Sequence, residues 1–142
     1  MLGRLARWLR VLGYDVDYSN RYEDNQILDL ARRDGRIILT RDTGLQSRAG
    51  SLDCLLIRSD SYREQVRQVL DTCALHDASP FSRCLDCNHP LEDVDKETVF
   101  EQIPPFVYLT HDRFALCRSC GRVYWHGTHA ENIEAQIARW LL

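Results

Sequence analysis

The sequence predicts an α/β fold, with a parallel β/α layer followed by a small metal-stapled appendage. Three observations predict it. Helical and strand-like patterns alternate through residues 1–76, and such alternation packs as parallel β/α units. Two Cys-x-x-Cys pairs then follow in one short region, Cys84-Leu85-Asp86-Cys87 and Cys117-Arg118-Ser119-Cys120. Between them and the first part, Asp77-Ala78-Ser79-Pro80 reads as a domain joint. A chain of 142 residues, 44% hydrophobic, suits one ordinary core plus an appendage that metal can stabilise.

The elements follow in order. Leu2, Leu5, Ala6, Leu9 and Leu12 recur at helical spacing, with Arg4, Arg7 and Arg10 off that stripe, and Gly13 suits a helix stop. Tyr14, Val16 and Tyr18 alternate with Asp15 and Asp17, which predicts a short strand. Asp24 precedes a helix over Asn25 to Arg33 with an Ile27, Leu28 and Ala31 face, ended by Gly35. Arg36-Ile37-Ile38-Leu39-Thr40 reads as a buried strand that delivers Arg41 and Asp42 at its carboxyl end. Thr43 to Ala49 is a polar turn or short helix, and Leu52 to Ile57 a second apolar strand. Ser59 to Ser61 cap a helix from Tyr62 to about Leu75, with Val66, Val69, Leu70 and Cys73 inward. In the cysteine region, Val99 to Pro105 predicts a hairpin arm and exposed turn. Ile133, Ile137, Ala138 and Leu141 give Glu131 to Leu142 helical spacing.

Composition narrows the function classes. No apolar run reaches the ~18 residues of a membrane span, and the amphipathic, arginine-interrupted start lacks a signal-peptide pattern. A cytoplasmic chain without a membrane partner is expected. Net charge is −3, with Arg4, Arg7 and Arg10 ahead of any acidic residue, while the part from Phe81 carries Asp86, Glu92, Asp93, Asp95, Glu97 and Glu101. Global charge therefore does not argue for nucleic acid, and only the arginine cluster does. Cys54 and Cys73 sit in apolar patterns and read as buried thiols. The oligomeric state is not legible.

Each Cys-x-x-Cys pair can clamp one side of a tetrahedral Zn²⁺, because two intervening residues let the chain fold back and aim both sulfurs inward. Asn88 and Gly121 follow the pairs, as a tight turn requires. The gap between the pairs exceeds the ~15–20 residues of the simplest pattern, so a hairpin or insert must fill it. Two disulfides or a thioredoxin-like redox pair are the rival readings, and disulfides need an oxidising compartment. His89, His126 and His129 are spare ligands that four cysteines make unnecessary.

Ligands of parallel β/α sheets bind beyond the carboxyl ends of the strands. Asp42 stands at such an end and Asp24 opens the preceding helix, so both can approach one rim. Carboxylates gathered there bind Mg²⁺ or Mn²⁺, which activate water for phosphodiester cleavage. The plainer alternatives are Asp24 as an N-cap, Asp42 as a cap before Thr43-Gly44, and the three arginines as a solvated helix face. Arg41 adjoins the rim, and Arg122, Tyr124, Trp125 and His129 follow the second cysteine pair. Arginine there can meet phosphate and aromatic rings can stack on unpaired bases, or Tyr124 and Trp125 can cover the appendage's own core.

Leu2-Gly3-Arg4-Leu5-Ala6-Arg7-Trp8-Leu9-Arg10, with Leu12-Gly13-Tyr14-Asp15, resembles the opening of the Mut7-C family. Arg36 to Asp42 is similar to its next hallmark, and the two cysteine pairs, with Gly121-Arg122-Val123-Tyr124-Trp125-His126-Gly127-Thr128-His129, to its zinc ribbon. The resemblance implies a PIN-like three-layer α/β/α sheet over 1–76, a zinc ribbon with a carboxy-terminal helix over 81–142, an acidic metal site and cleavage of RNA. Asp24 and Asp42 match the family's acidic residues. They are the expected catalytic residues and Mg²⁺ or Mn²⁺ ligands, with Cys84, Cys87, Cys117 and Cys120 on a structural Zn²⁺. RNA is the expected partner, at Arg4, Arg7, Arg10, Arg41, Arg122 and Trp125. The family also places a strand ending in Asp just upstream of the residue matching Met1. Without that strand, weak or absent activity is expected, and a form extended by it should cleave single-stranded RNA. A non-catalytic RNA- or protein-binding module with a structural zinc is the reading from another class.

Overall fold

In the computed structural model, which describes residues 2–73, 75 and 79–141, the chain divides into two units. One comprises Met1–Leu9 with Val16–Asp77, the other Arg10–Asp15 with Ala78–Leu142. The architecture is mixed α/β, with a small parallel sheet in the first unit and an antiparallel sheet in the second.

The first unit is built on helices whose apolar residues recur three and four apart. In α1 (Gly3–Val11), Leu5, Ala6 and Leu9 are buried, and Trp8 stacks on Tyr62 at the start of α4 (Tyr62–Thr72). Helix α2 (Asp24–Asp34) contributes Leu28 and Ala31 to a cluster with Ile38 of β1 (Ile38–Thr40) and Leu45 and Ala49 of α3 (Thr43–Ala49). Strand β2 (Cys54–Leu56) pairs with β1 in parallel, Ile38 opposite Cys54 and Thr40 opposite Leu56. A parallel pair cannot be closed by a tight hairpin, and α3 supplies the crossover. Both strands are three residues long, shorter than the apolar runs that predict them.

Several expectations are corrected. The predicted strand at Tyr14 to Tyr18 does not form. No described strand offers it a ladder, and its carboxylates bond elsewhere: Asp17 accepts from the Tyr22 hydroxyl at 2.7 Å, and Asp15 from Asn88 Nδ2 at 2.6 Å. The cap of α2 is Glu23, whose amide donates to Gln26 Oε1 at 2.8 Å, and Asp24 is the first helical residue. Helix α4 stops at Thr72, where the Cys73 amide closes on Val69. Cys54 and Cys73 are half-buried, and burial raises both thiols. In the expected joint, Asp77 and Ala78 lie outside the described residues.

The second unit has a three-stranded antiparallel sheet, β3 (Glu92–Val94), β4 (Phe114–Leu116) and β5 (Val123–Trp125) in that order. Val94 and Trp125 flank Phe114, and Glu92 and Val123 flank Leu116. The expected hairpin arm at Val99 to Pro105 is instead a 3₁₀ helix (Lys96–Gln102) followed by α5 (Pro105–Thr110). Proline explains the second of these, since Pro104-Pro105 fixes φ where a helix begins and needs no amide there. Val99, Ile103 and Phe114 form the buried core, with Val94, Val107, Tyr108, Val123 and Trp125 against it. Helix α6 (Thr128–Leu141) starts one turn earlier than its spacing predicts and buries Trp140; Leu142 lies outside the described residues.

The segment 10–15 is held within this unit by long-range hydrogen bonds. The Phe81 amide donates to Val11 O at 2.9 Å, and Arg83 Nε to Gly13 O at 3.3 Å. Gly13 has φ 98°, and a Cβ placed there would lie 2.2 Å from Ser79 O. Gly13→Ala therefore meets a left-handed backbone and a clash with main chain together. It should lower unfolding free energy by ~2 kcal/mol or more, measured as a urea midpoint shift.

Candidate metal centre and acidic rim

The two cysteine pairs adopt the same local geometry. Cys84 O accepts from the Asn88 amide at 2.9 Å, and the Cys84 amide donates to His89 O at 2.9 Å. Cys117 repeats this with Gly121 at 2.8 Å and Arg122 at 2.9 Å. Both closing residues take positive φ, Asn88 at 66° and Gly121 at 79°. That is why an asparagine and a glycine follow the pairs.

The four sulfurs lie within 4.8 Å of one another, and Cys84 Sγ is 3.7 Å from Cys120 Sγ. A tetrahedral ion with Zn–S of ~2.3 Å sets its sulfurs ~3.8 Å apart, so the cluster fits Zn²⁺ with four thiolates and no further ligand. All six cysteines are free. The surroundings favour thiolate at Cys84, whereas Cys87, Cys117 and Cys120 are shifted up. Burial pushes the Cys84 thiol up, but the Tyr124 hydroxyl and the amides of Cys87 and Asp86 outweigh it and bring Cys84 down to about 7. Burial, and after it the Cys84 sulfur, holds the Tyr124 phenol protonated. Its oxygen accepts from the Leu85 amide at 3.1 Å and lies 3.2 Å from Cys84 Sγ, placed to donate.

Arginines brace the cluster. Arg10, buried, donates through Nη1 to Leu85 O at 2.8 Å. Arg122 pairs with Asp86 of the first cysteine loop at 2.8 Å, and Arg118 makes two contacts to Glu92 of β3 at 2.8 and 3.2 Å. Trp125 is half-buried against Phe114, ring centroids 6.3 Å apart, as part of the core. The strand alternation that sends Val123 and Trp125 to that core sends Tyr124 to the cysteines. This was available in the sequence as a period-two pattern.

The carboxylates of the first unit are placed differently. Asp42, beyond the carboxyl end of β1, caps α3, its Oδ1 accepting from the Gly44 amide at 2.7 Å. Asp24 lies in the first turn of α2, its Oδ2 3.4 Å from Arg48 Nη1 in the last turn of α3. Arg48 also bonds Asn25. Arg41 pairs with Asp60, which follows β2. Arg48 and Asp60 escape a sequence reading because their partners are distant in the chain. Among the described residues, the four cysteines are the one group of three or more side chains that could share a metal ion. Arg4 is exposed and lies over the Tyr62 ring at 4.6 Å, and Arg7 is exposed.

Purified protein should carry about one zinc per chain, and Cys117→Ser should lose it, measured by elemental analysis. Tyr124→Phe should keep the stoichiometry and weaken zinc retention against a chelator by about 10–100-fold, as loss of an outer-shell hydrogen bond does.

No curated protein and no solved structure gives a significant match to the chain. Among the described residues, no helix is long and apolar enough to cross a membrane. The family model described as the Mut7-C RNAse domain matches residues 1–137. That span takes in the β/α unit, the acidic rim and both cysteine pairs in one alignment. The chain belongs to the Mut7-C RNAse domain family.

Proposed function

We propose that this protein is a metal-dependent endoribonuclease that hydrolyses RNA at the rim beyond β1, with residues 1–76 as the PIN-like nuclease domain and 81–142 as a zinc ribbon. Membership of an RNase family over residues 1–137 carries the reading. Asp42 supports it by position, because parallel β/α sheets place ligands beyond their strand ends. The Gly44 amide fixes one of its oxygens and leaves the other for a ligand. Asp24 supplies a second carboxylate, oriented by Arg48. Their hard oxygens suit Mg²⁺ or Mn²⁺, although two carboxylates hold such an ion loosely. A bound ion of this kind would lower the pKa of a water and offset charge on the scissile phosphate.

The chain's own residues would do the rest. Arg41, steadied by Asp60, is a phosphate contact beside Asp42. Arg4 and Arg7 offer exposed guanidinium groups, and Arg4 and Tyr62 together give a cation beside an aromatic face. Arg122 and Trp125 remain contacts of the ribbon, with Arg122 shared with Asp86 and Trp125 half-buried against the core. Arg10 holds the Leu85 carbonyl and is left out of the proposed RNA surface.

Asn is as good a cap as Asp, so Asp42→Asn preserves α3 while removing the charge. In a form extended by the upstream strand that the resemblance implies, single-stranded RNA should be cleaved with Mg²⁺ or Mn²⁺. EDTA should abolish cleavage, and Asp42→Asn and Asp24→Asn should each lower it by ~100-fold or more. Equal cleavage by wild type and Asp42→Asn would reject the site. Arg4→Ala and Arg7→Ala should each weaken RNA binding and reduce its salt slope by ~1.

A non-catalytic RNA- or protein-binding module has one observation in its favour. Asp24 and Asp42 each have a protein partner, and no third carboxylate joins them among the described residues. RNA binding with no cleavage in the extended form under any divalent ion would select it.

A further inference from the structure

The insert between β3 and β4 leaves a large apolar surface uncovered. Phe106 is 73% exposed, Leu109 79% and Phe100 57%. Phe106 and Leu109 stand three apart on α5, and so on one face of it. Phe100 is set against α5 by an edge-on contact with Tyr108, ring centroids 5.0 Å apart. The opposite side of the insert is well packed, with Val99 and Ile103 buried and Val107 against them. The insert is therefore packed from beneath, not a frayed loop, and large apolar side chains left exposed together on one short insert mark an interaction site.

Its charge says what fits. From Glu92 to Asp112 the sequence has six carboxylates (Glu92, Asp93, Asp95, Glu97, Glu101 and Asp112) against Lys96 alone, with Arg113 just beyond. Lys96 is turned inward, 4.6 Å over the Tyr108 ring and 3.4 Å from Tyr108 O. In a 3₁₀ helix residues three apart eclipse, so Glu97 sits one turn behind Phe100 on the same edge, and Glu101 adjoins it. Glu97 and Glu101 are exposed and have no ion-pair partner among the described residues. Phosphate would be repelled here, which excludes a nucleic acid.

We propose that Phe100, Phe106 and Leu109, rimmed by Glu97 and Glu101, are a docking surface for a protein segment that presents apolar side chains flanked by lysine or arginine. Phe106 and Leu109 are the anchors and the glutamates select the basic flanks. The proposal uses none of the residues assigned to the acidic rim or to RNA, so it adds a protein partner to the proposed nuclease without depending on it.

The test is selection from a displayed library of random short peptides on the zinc-loaded full chain, with counter-selection on the Phe106→Ser/Leu109→Ser double variant. Enriched peptides should combine apolar residues with Lys or Arg. A synthetic winner should bind the double variant at least about tenfold more weakly. It should also lose affinity and salt dependence on Glu97→Gln/Glu101→Gln. Unchanged zinc stoichiometry and circular dichroism establish that the variants fold. No enrichment over the double variant, winners without basic residues, or indifference to the glutamate changes would overturn the proposal. So would wild-type self-association abolished by the double variant, which would make the occupant a second copy, or displacement of the winner by single-stranded RNA.

Discussion

The second unit depends on one constraint, that four thiolates must be held close together without repelling each other apart. Three buried residues, Val99, Ile103 and Phe114, form its central cluster, a small core for a region of this length. The sulfurs are instead gathered by backbone turns and hydrogen-bond donors. The Cys84 and Cys117 carbonyls close on Asn88 and Gly121, and the Tyr124 hydroxyl meets the Cys84 sulfur while the Leu85 amide steadies it. Much of what surrounds the cluster follows from keeping that arrangement in place. Arg10 ties down the Leu85 carbonyl, and Arg122 and Asp86 link the two cysteine loops.

How far the sequence could be read depended on whether a residue's partners were local. The cysteine pairs, Gly13, Gly35 and the Leu28–Ala31 face were legible because spacing alone dictates a clamp, a left-handed stop or a helical stripe. Asp42 was legible as a residue at a strand's end, and of its two readings the cap is the one its bond to the Gly44 amide shows. Arg10 was not legible. It shares the spacing of Arg4 and Arg7, but its acceptor, Leu85, is 75 residues away. The strand pattern at Tyr14 to Tyr18 failed for the same kind of reason, since alternation describes a strand's faces but cannot supply its neighbour. The insert was missed because Val99-Phe100 looks like a strand in isolation, whereas Pro104-Pro105 and the turn opened by Asp95 commit it to helical geometry.

The first unit handles charge at its rim by pairing. Arg41 and Asp60 follow β1 and β2, so neighbouring parallel strands end in opposite charges. Arg48 neutralises Asp24 and engages Asn25, linking the first turn of α2 to the helix that Asp42 caps. A cation approaching Asp24 must compete with, or share the carboxylate with, that guanidinium. At the proposed site, Arg48 would therefore set how tightly Asp24 holds an ion, through electrostatics.

The second cysteine pair is the turn of the β4–β5 hairpin, with Cys117 directly after Leu116 and Cys120 three residues before Val123. A hairpin closes a short loop, whereas bringing the first pair alongside it closes a much longer one, at greater entropic expense and on a slower timescale. Each half of the cluster is thus shaped by local chain geometry, and the long-range step is bringing the two halves together. An ion captured early by Cys117 and Cys120 would act as a latch, turning the late, long-range encounter with Cys84 and Cys87 into a binding event. The order in which the ribbon forms is then set by where its cysteines lie relative to its turns.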